Sequence, residues 1–425
     1  MMIPVRRWMS ARTIGCATVL GALAAGRAGA QNIGPIVAHA NAALRWRAQE
    51  QVRLAMEADA RVGGDSAVRA DTVPAKAKSD SGRLVSSTGV IASPLVIYSP
   101  ETGYGGGAGL VWVRASDTPG QRPTTYQTSF LATETSQFSF VANADYWAEG
   151  NQNRFTSELT VQRAPTKFFG IGPYANMDPA EKFVPSTVRL ILTAQHRVLP
   201  KFFVGLRYFF DVTKLGDIKA GPIRNGTVPG APQGWFVSTL AVQATYDTRD
   251  RYYFPLHGSQ VLVQLNRADP ILGSELNYWR AVIDARWYQA FAGEHVLALQ
   301  WFADGTAGGS PPFERMPRLG GKDLVRGFFQ GRFRDAFATA FTAEYRSAPW
   351  FNQKTDLFWR LSGVAFLSTG TVAPHIRDFM MQNFQVAGGI GLRISLTKPD
   401  RLNLRIDRGW GPGSTATYFT VGEAF

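Results

Sequence analysis

The residues best placed to do chemistry lie in the stretch LGGKDLVRGFFQGRFRD, Leu319 to Asp335, which carries three arginines, four glycines and three phenylalanines in seventeen residues. It has neither helical nor strand periodicity, yet it sits between two segments that read as strands. The chemistry such a stretch offers is recognition. A guanidinium pairs bidentately with carboxylates and does not discharge, and glycine lets backbone run close to a wall. Arg326, Arg332 and Arg334 would then fasten the loop to inward-facing acids, with Glu344 on the following strand as the first candidate.

Other chemistry finds little support. The GGGAG run near Gly105 lacks a GxGxxG register and leads into a strand, so it does not read as a phosphate cradle. His39, His196, His257, His295 and His375 show no metal-like spacing, and no Ser/His/carboxylate trio is marked out as a hydrolase site. The expectation is a protein that is not an enzyme, with no catalytic residue, no metal and no cofactor.

The wall around the loop comes from the rest of the chain. Its 425 residues are glycine-rich (43), 12% aromatic and only 18% charged, a shift toward β structure and turns. Outside the N-terminus no apolar run is long enough for a membrane helix. Residues 1–30 read as a signal peptide: Arg6, Arg7 and Arg12 precede an apolar core from Thr13 to Ala25, and Ala28-Gly29-Ala30 fits a cleavage site. Cys16, the single cysteine, lies inside that signal, so neither a disulfide framework nor a thiolate metal site is expected. Removing the four signal arginines takes the net charge from +13 to +9. In an exported chain that balance points to lipid headgroups or acidic polysaccharide rather than nucleic acid.

Residues 31–90 read as a periplasmic helix, with Leu44, Ala48, Val52 and Met56 on one face, followed by a flexible tether. From residue 91 to 425 the pattern has period two. Trp279, Ala281, Ile283, Ala285 and Trp287 point one way, and Arg280, Asp284 and Arg286 the other. Leu402, Leu404 and Ile406 alternate with Asn403, Arg405 and Asp407 in the same manner. The apolar face is the one bracketed by tryptophans, roughly 20 Å apart along a membrane normal, close to the apolar band of a membrane barrel. The charged face then lines a polar lumen.

The fold class expected is all-β, a sixteen-stranded antiparallel transmembrane β-barrel. Strands are read near 91–98, 104–115, 124–134, 137–147, 154–163, 186–196, 202–212, 235–247, 258–267, 277–289, 295–304, 336–347, 355–367, 384–396, 401–409 and 416–424. The long connections 164–185, 213–234, 305–335 and 368–383 all follow odd-numbered strands and so share one face, as outer loops of such barrels do.

LGGKDLVRGFFQGRFRD followed by AEYRSAPW resembles the bacterial surface antigen superfamily of outer-membrane barrels, the group of BamA and TamA, over residues 90–425. SPETGYGGGAGL, YDTRDRYYFPLHG, GGIGLRISL and the final YFTVGEAF resemble its first hairpin, its mid-barrel turn and its last strands. The resemblance implies that Val325, Arg326, Gly327 and Phe328 form a motif on a loop tucked inside the barrel, with Arg326 docked on acids of the wall. Glu344 matches the family's glutamate. Where the family offers F-x-D-x-G, this chain reads FLSTG, with Ser368 at the aspartate's place; Asp335 and Asp304 are the stand-ins considered. The family further implies a seam between first and last strands, which Gly422 would weaken, and Phe425 resembles the terminal aromatic read by assembly machinery. Residues 31–90 are too short for the family's POTRA modules, so a barrel-only member is expected.

The function this implies is assistance of protein or lipid insertion or translocation at the outer membrane of a Gram-negative bacterium. The partners would be outer-membrane lipids, nascent outer-membrane proteins or a periplasmic protein, and no nucleic acid. The alternative is a passive pore or structural surface barrel that keeps the fold without assembly activity.

Overall fold

Alternation that exposes one face to lipid and the other to water commits a chain to strands whose backbone groups pair with neighbouring strands, because hydrocarbon offers no hydrogen bonds. The computed structural model shows that outcome. It describes residues 88–425 apart from 100–102, 115–120, 123, 135, 176–179, 219–220, 252–253, 354–358, 396–402 and 422. The expected signal peptide, helix and tether, together with Cys16, His39 and Gly422, lie outside the described residues.

Sixteen wall strands follow in chain order: β1 (Thr88–Ser99), β2 (Gly103–Arg114), β3 (Thr124–Thr133), β4 (Phe138–Ala148), β5 (Asn153–Arg163), β6 (Glu181–Leu199), β7 (Phe202–Gly216) and β8 (Gly234–Asp247). The second half comprises β9 (His257–Ala268), β10 (Tyr278–Phe291), β11 (His295–Ala307), β12 (Phe337–Arg346), β13 (Trp359–Ala373), β14 (Gln385–Ser395), β15 (Asn403–Gly411) and β16 (Ser414–Val421). Each pairs antiparallel with the next, from Thr88↔Arg114 in the first ladder to Gly411↔Ser414 in the last. Among the described residues no ladder joins β1 to β16, and no helix is long and apolar enough to cross a membrane.

The wall separates two environments residue by residue. On β10, Trp279 and Trp287 are exposed to the outside, while Asp284 and Arg286 face inward and pair with each other. On β12, Phe341 and Tyr345 are exposed and Thr342, Glu344 and Arg346 are buried on the lumen side. Long connections over 164–180, 217–233, 308–336 and 374–384 follow β5, β7, β11 and β13, and the turn at 200–201 after β6 is among the shortest on the other end.

Several strand boundaries differ from the sequence reading, and two of them bear on the interior. β13 continues to Ala373, six residues beyond the expected end at 367, because its lumen face there is covered: Val372 packs in one cluster with Leu319, Val325 and Phe328 of the 308–336 loop. The last strand was expected to run to 424 but stops at Val421, and Ala424 and Phe425 are buried against β10 and β11 instead.

The lumen holds protein. Near the end that carries the long loops, Phe313 stacks edge-on with Phe168, Phe183 and Trp235 at ring distances of 5.2, 5.3 and 5.8 Å. Such pairs contribute about 0.5–1.5 kcal/mol each beyond the area they bury. Phe313 lies on the 308–336 loop, Phe168 on the 164–180 loop, and Phe183 and Trp235 at the ends of β6 and β8. One small apolar core thus caps the barrel and starts the descent of the 308–336 loop into the interior.

Candidate functional site

The 308–336 loop descends from that cap to a tip at Val325–Phe328, all four of whose residues are buried. Two local features make the tip possible. Val325 adopts φ +49°, a left-handed backbone that a β-branched residue rarely takes, and Gly327 adopts φ +133°. The wall opposite is made of glycine: a Cβ on Gly409 would lie 2.6 Å from the Arg326 carbonyl oxygen, and one on Gly411 would lie 2.5 Å from the Phe328 ring. The strained tip is held because its surroundings over-determine it.

Arg326 is fully buried and makes two ion pairs with fully buried acids. Its Nη2 donates to Glu344 Oε2 at 2.5 Å, and its Nη1 donates to Asp407 Oδ2 at 2.7 Å. Its guanidinium lies 3.6 Å above the centre of the Phe366 ring, a cation–π contact of about 2 kcal/mol when desolvated. Asp407 also accepts from Arg393 Nη1 at 2.6 Å and from Arg405 Nε at 2.7 Å. Glu344 accepts from Arg346 Nε at 2.9 Å. Arg405 reaches back to the loop by donating to the Lys322 carbonyl.

The tip also grips the last strand. Tyr418 on β16 accepts from the Gly327 amide at 3.2 Å and donates to the Phe328 carbonyl at 2.8 Å; Ser414 Oγ donates to the Gly327 carbonyl at 2.8 Å. One tetrapeptide therefore ties β12, β13, β15 and β16 together from inside.

The sequence candidates fall into two groups. The structure brings Val325, Arg326, Gly327, Phe328 and Glu344 together. Asp335 and Asp304 do not reach Arg326: Asp335 accepts from the Ala336 amide, and Asp304 holds Arg280 at 2.6 Å. The carboxylate that stands in for the missing aspartate is Asp407, two strands further on. Ser368, at the aspartate's own place, is buried and accepts from Thr342 Oγ1 at 3.2 Å. Arg334 is also corrected, since the acid it meets belongs to the loop and not to the wall. Arg332 donates to the Ala175 carbonyl, and Arg334 pairs at 3.3 Å with Glu314 of its own loop. Arg332 thus fastens loop to loop and Arg334 braces its own loop, above the tip. Phe425 sits in the lumen. Asp407 was legible as an inward acid from the alternation of its strand; nothing in one sequence gives the register that sets it beside Arg326.

The cap has its own charge network. Asp211, fully buried on β7, accepts from Arg189 Nε at 2.9 Å and Trp235 Nε1 at 2.6 Å, and pairs with Arg315. Burial, with Arg189 beside it, pulls the Arg315 guanidinium down to about 10. Burial alone would raise the Glu314 carboxyl, but Arg334, Arg318 and Arg315 together hold it below its ordinary 4.5. Along the inward face of the wall, Arg189, Arg280, Arg286, Arg393 and Arg405 are each paired with an acid. Among the described residues no cluster suits a metal ion.

This geometry is an interior scaffold that fixes a loop and a strand edge from inside the barrel. Comparison with known proteins gives it a context. The Omp85 superfamily domain matches residues 125–425. BamA from Haemophilus ducreyi, in a crystal structure lacking POTRA domains 1–3, is similar at 15% identity and a TM-score of 0.53, over 79% of this chain and 70% of that one. CdiB from Escherichia coli is similar at 12% identity and a TM-score of 0.53, over 79% of this chain; the chain spans only 62% of that protein. At such identities the likeness speaks to the fold. No functionally curated protein sequence matches the chain.

Proposed function

The chain belongs to the Omp85 superfamily, and we propose that it is a plugged outer-membrane barrel that assists insertion or translocation of proteins or lipids at the outer membrane of a Gram-negative bacterium. The observation that carries this reading is the coupling of a buried plug to an unjoined edge. β1 pairs with β2 over its full length, β16 pairs with β15, and the described residues show no ladder between β1 and β16. The strand on one side of that seam is held from within by the plug tip through Tyr418 and Ser414.

An unpaired strand edge in hydrocarbon costs several kcal/mol for each unsatisfied backbone group. A barrel that keeps such an edge steady offers an incoming strand, or a lipid headgroup, a polar path past the apolar band. Lowering that cost is the whole of the proposed activity, so the reading needs no covalent step and no cofactor. Its partners are the surrounding lipids, nascent membrane barrels and a periplasmic protein able to deliver them.

The test combines two measurements. Deleting the gene is expected to lower the levels of other outer-membrane barrels, with recovery on complementation. In planar bilayers the intact protein is expected to give small, flickering conductance that grows with Arg326→Ala. A large, steady conductance in the intact protein, together with unchanged barrel levels in the deletion strain, would mark a passive pore and overturn the proposal.

A further inference from the structure

Beyond Val421 the chain leaves the line of β16. Ala424 and Phe425 are buried, and the Phe425 ring lies 6.3 Å from that of Tyr288 on β10, in a pocket completed by Val296, Ala298 and Leu256. Arg346 donates to the Phe425 carbonyl oxygen at 3.0 Å. Glu423 accepts from Arg393 Nε at 2.7 Å and from Asn403 Nδ2 at 2.5 Å. These three residues thus run along the inside of the wall, across β15, β14 and β12 to β10, away from β1.

We infer that Glu423–Phe425 is an internal strap, seated in the lumen, whose release and the release of the plug favour one another. Two observations carry this. First, the strap and an extended β16 exclude each other, since Phe425 cannot fill the Tyr288 pocket and also continue the strand beside β1. Seated, it holds β16 at eight residues against the twelve of β1.

Second, strap and plug share their anchors. Arg346, which holds Phe425, donates to the same Glu344 that receives Arg326. Arg393, which holds Glu423, donates to the same Asp407 that receives Arg326. Freeing Glu423 and Phe425 lets Arg346 and Arg393 swing out of line, which loosens both acids under Arg326. By linkage, freeing Arg326 must weaken the strap by the same factor. The seam strand would therefore lengthen when the plug loosens, with the buried arginines as the coupling. In this role Glu423 and Phe425 are positioning residues.

The inference rests on the seam and plug of the reading above, but it is tested without any client. Its failure therefore leaves the barrel-level and conductance tests standing. The full-length protein in lipid vesicles, with Cys16 removed by processing or by Cys16→Ala, is given one reporter cysteine. Val325→Cys reports the plug and Ala424→Cys, which leaves the Phe425 ring in place, reports the strap, each by its rate of reaction with a small maleimide. Band-shift gels confirm that every variant is a folded barrel.

Glu423→Gln and Phe425→Ala are each expected to speed labelling at 325 by about tenfold, equivalent to a coupling of roughly 1.4 kcal/mol. Arg326→Ala is expected to speed labelling at 424 by a similar factor. Val263→Lys, which weakens the lipid face far from the strap, is expected to change neither rate. Rapid labelling of the Ala424→Cys reporter with no second substitution present would overturn the inference. So would loss of coupling in either direction, or an equal rise caused by Val263→Lys.

Discussion

Asp407→Asn should damage this barrel more than Arg326→Ala, although both remove one end of the same 2.7 Å ion pair. The buried cluster holds four arginines, Arg326, Arg346, Arg393 and Arg405, against three carboxylates, Glu344, Asp407 and Glu423, all at most 2% exposed at their side chains. Without Arg326 the cluster is left with equal numbers of each sign: Glu344 keeps Arg346, and Asp407 keeps Arg393 and Arg405. The cost is then at the low end of the range for breaking a buried pair, about 3 kcal/mol. Without the Asp407 charge, four guanidiniums face two buried carboxylates, with the half-exposed Asp323 3.7 Å from Arg405. The cost moves to the upper end, about 5 kcal/mol. A gap of about 2 kcal/mol is roughly thirtyfold in an equilibrium constant. Urea unfolding in lipid vesicles, followed by band shift, measures the difference, and trypsin cleavage within 308–336 reports on the plug alone. Equal losses, or a greater loss for Arg326→Ala, would refute the charge count on which the reasoning rests.

Three further outcomes are expected. Gly411→Ala places a methyl 2.5 Å from the Phe328 ring and should make the plug readily cleaved by trypsin, whereas Gly106→Ala, with nothing within 4 Å, should be silent in the same digest. Val263→Lys puts a charge on an exposed residue near the middle of β9 and should destabilise by about 2–4 kcal/mol, while Gln264→Lys on the lumen side should be tolerated; unfolding midpoints in vesicles separate them. Because its neighbouring arginines hold Glu314 below 4.5 in the fold, its contribution is in place above the ordinary carboxylate pKa and is lost only as pH falls through the lowered one. Resistance of the outer loops to an acid-tolerant protease should thus hold from neutral pH to 4.5 and decline below it.

The sequence made the wall legible because every wall residue answers to one of two solvents. Trp279 and Trp287 against Asp284 and Arg286 state the strand, its faces and its place in a bilayer without help from neighbours. The same rule found Asp407 and Glu344 as inward acids. It could not say that they meet, since β12 and β15 are brought together only through the registers of β13 and β14. Arg334 misled for a related reason: a loop residue has no alternation to obey, and its side chain settled on groups of its own loop. The last residues misled in the opposite sense. YFTVGEAF keeps the look of a strand, and Arg346, Arg393, Asn403 and the pocket beside Tyr288, drawn from separate parts of the chain, turn it inward.

The shared core around Phe313 has a practical consequence for anyone wishing to display a peptide on this barrel. Material spliced into 164–180 or 217–233 would have to be accommodated by rings contributed from several segments at once, and would disturb the descending plug with them. The turn Pro270–Leu272 is different. It is closed locally by Asp269, which accepts from the Ile271 amide at 3.0 Å, and Ile271 stands 94% exposed. That small, self-contained corner between β9 and β10 is where a foreign epitope would find room.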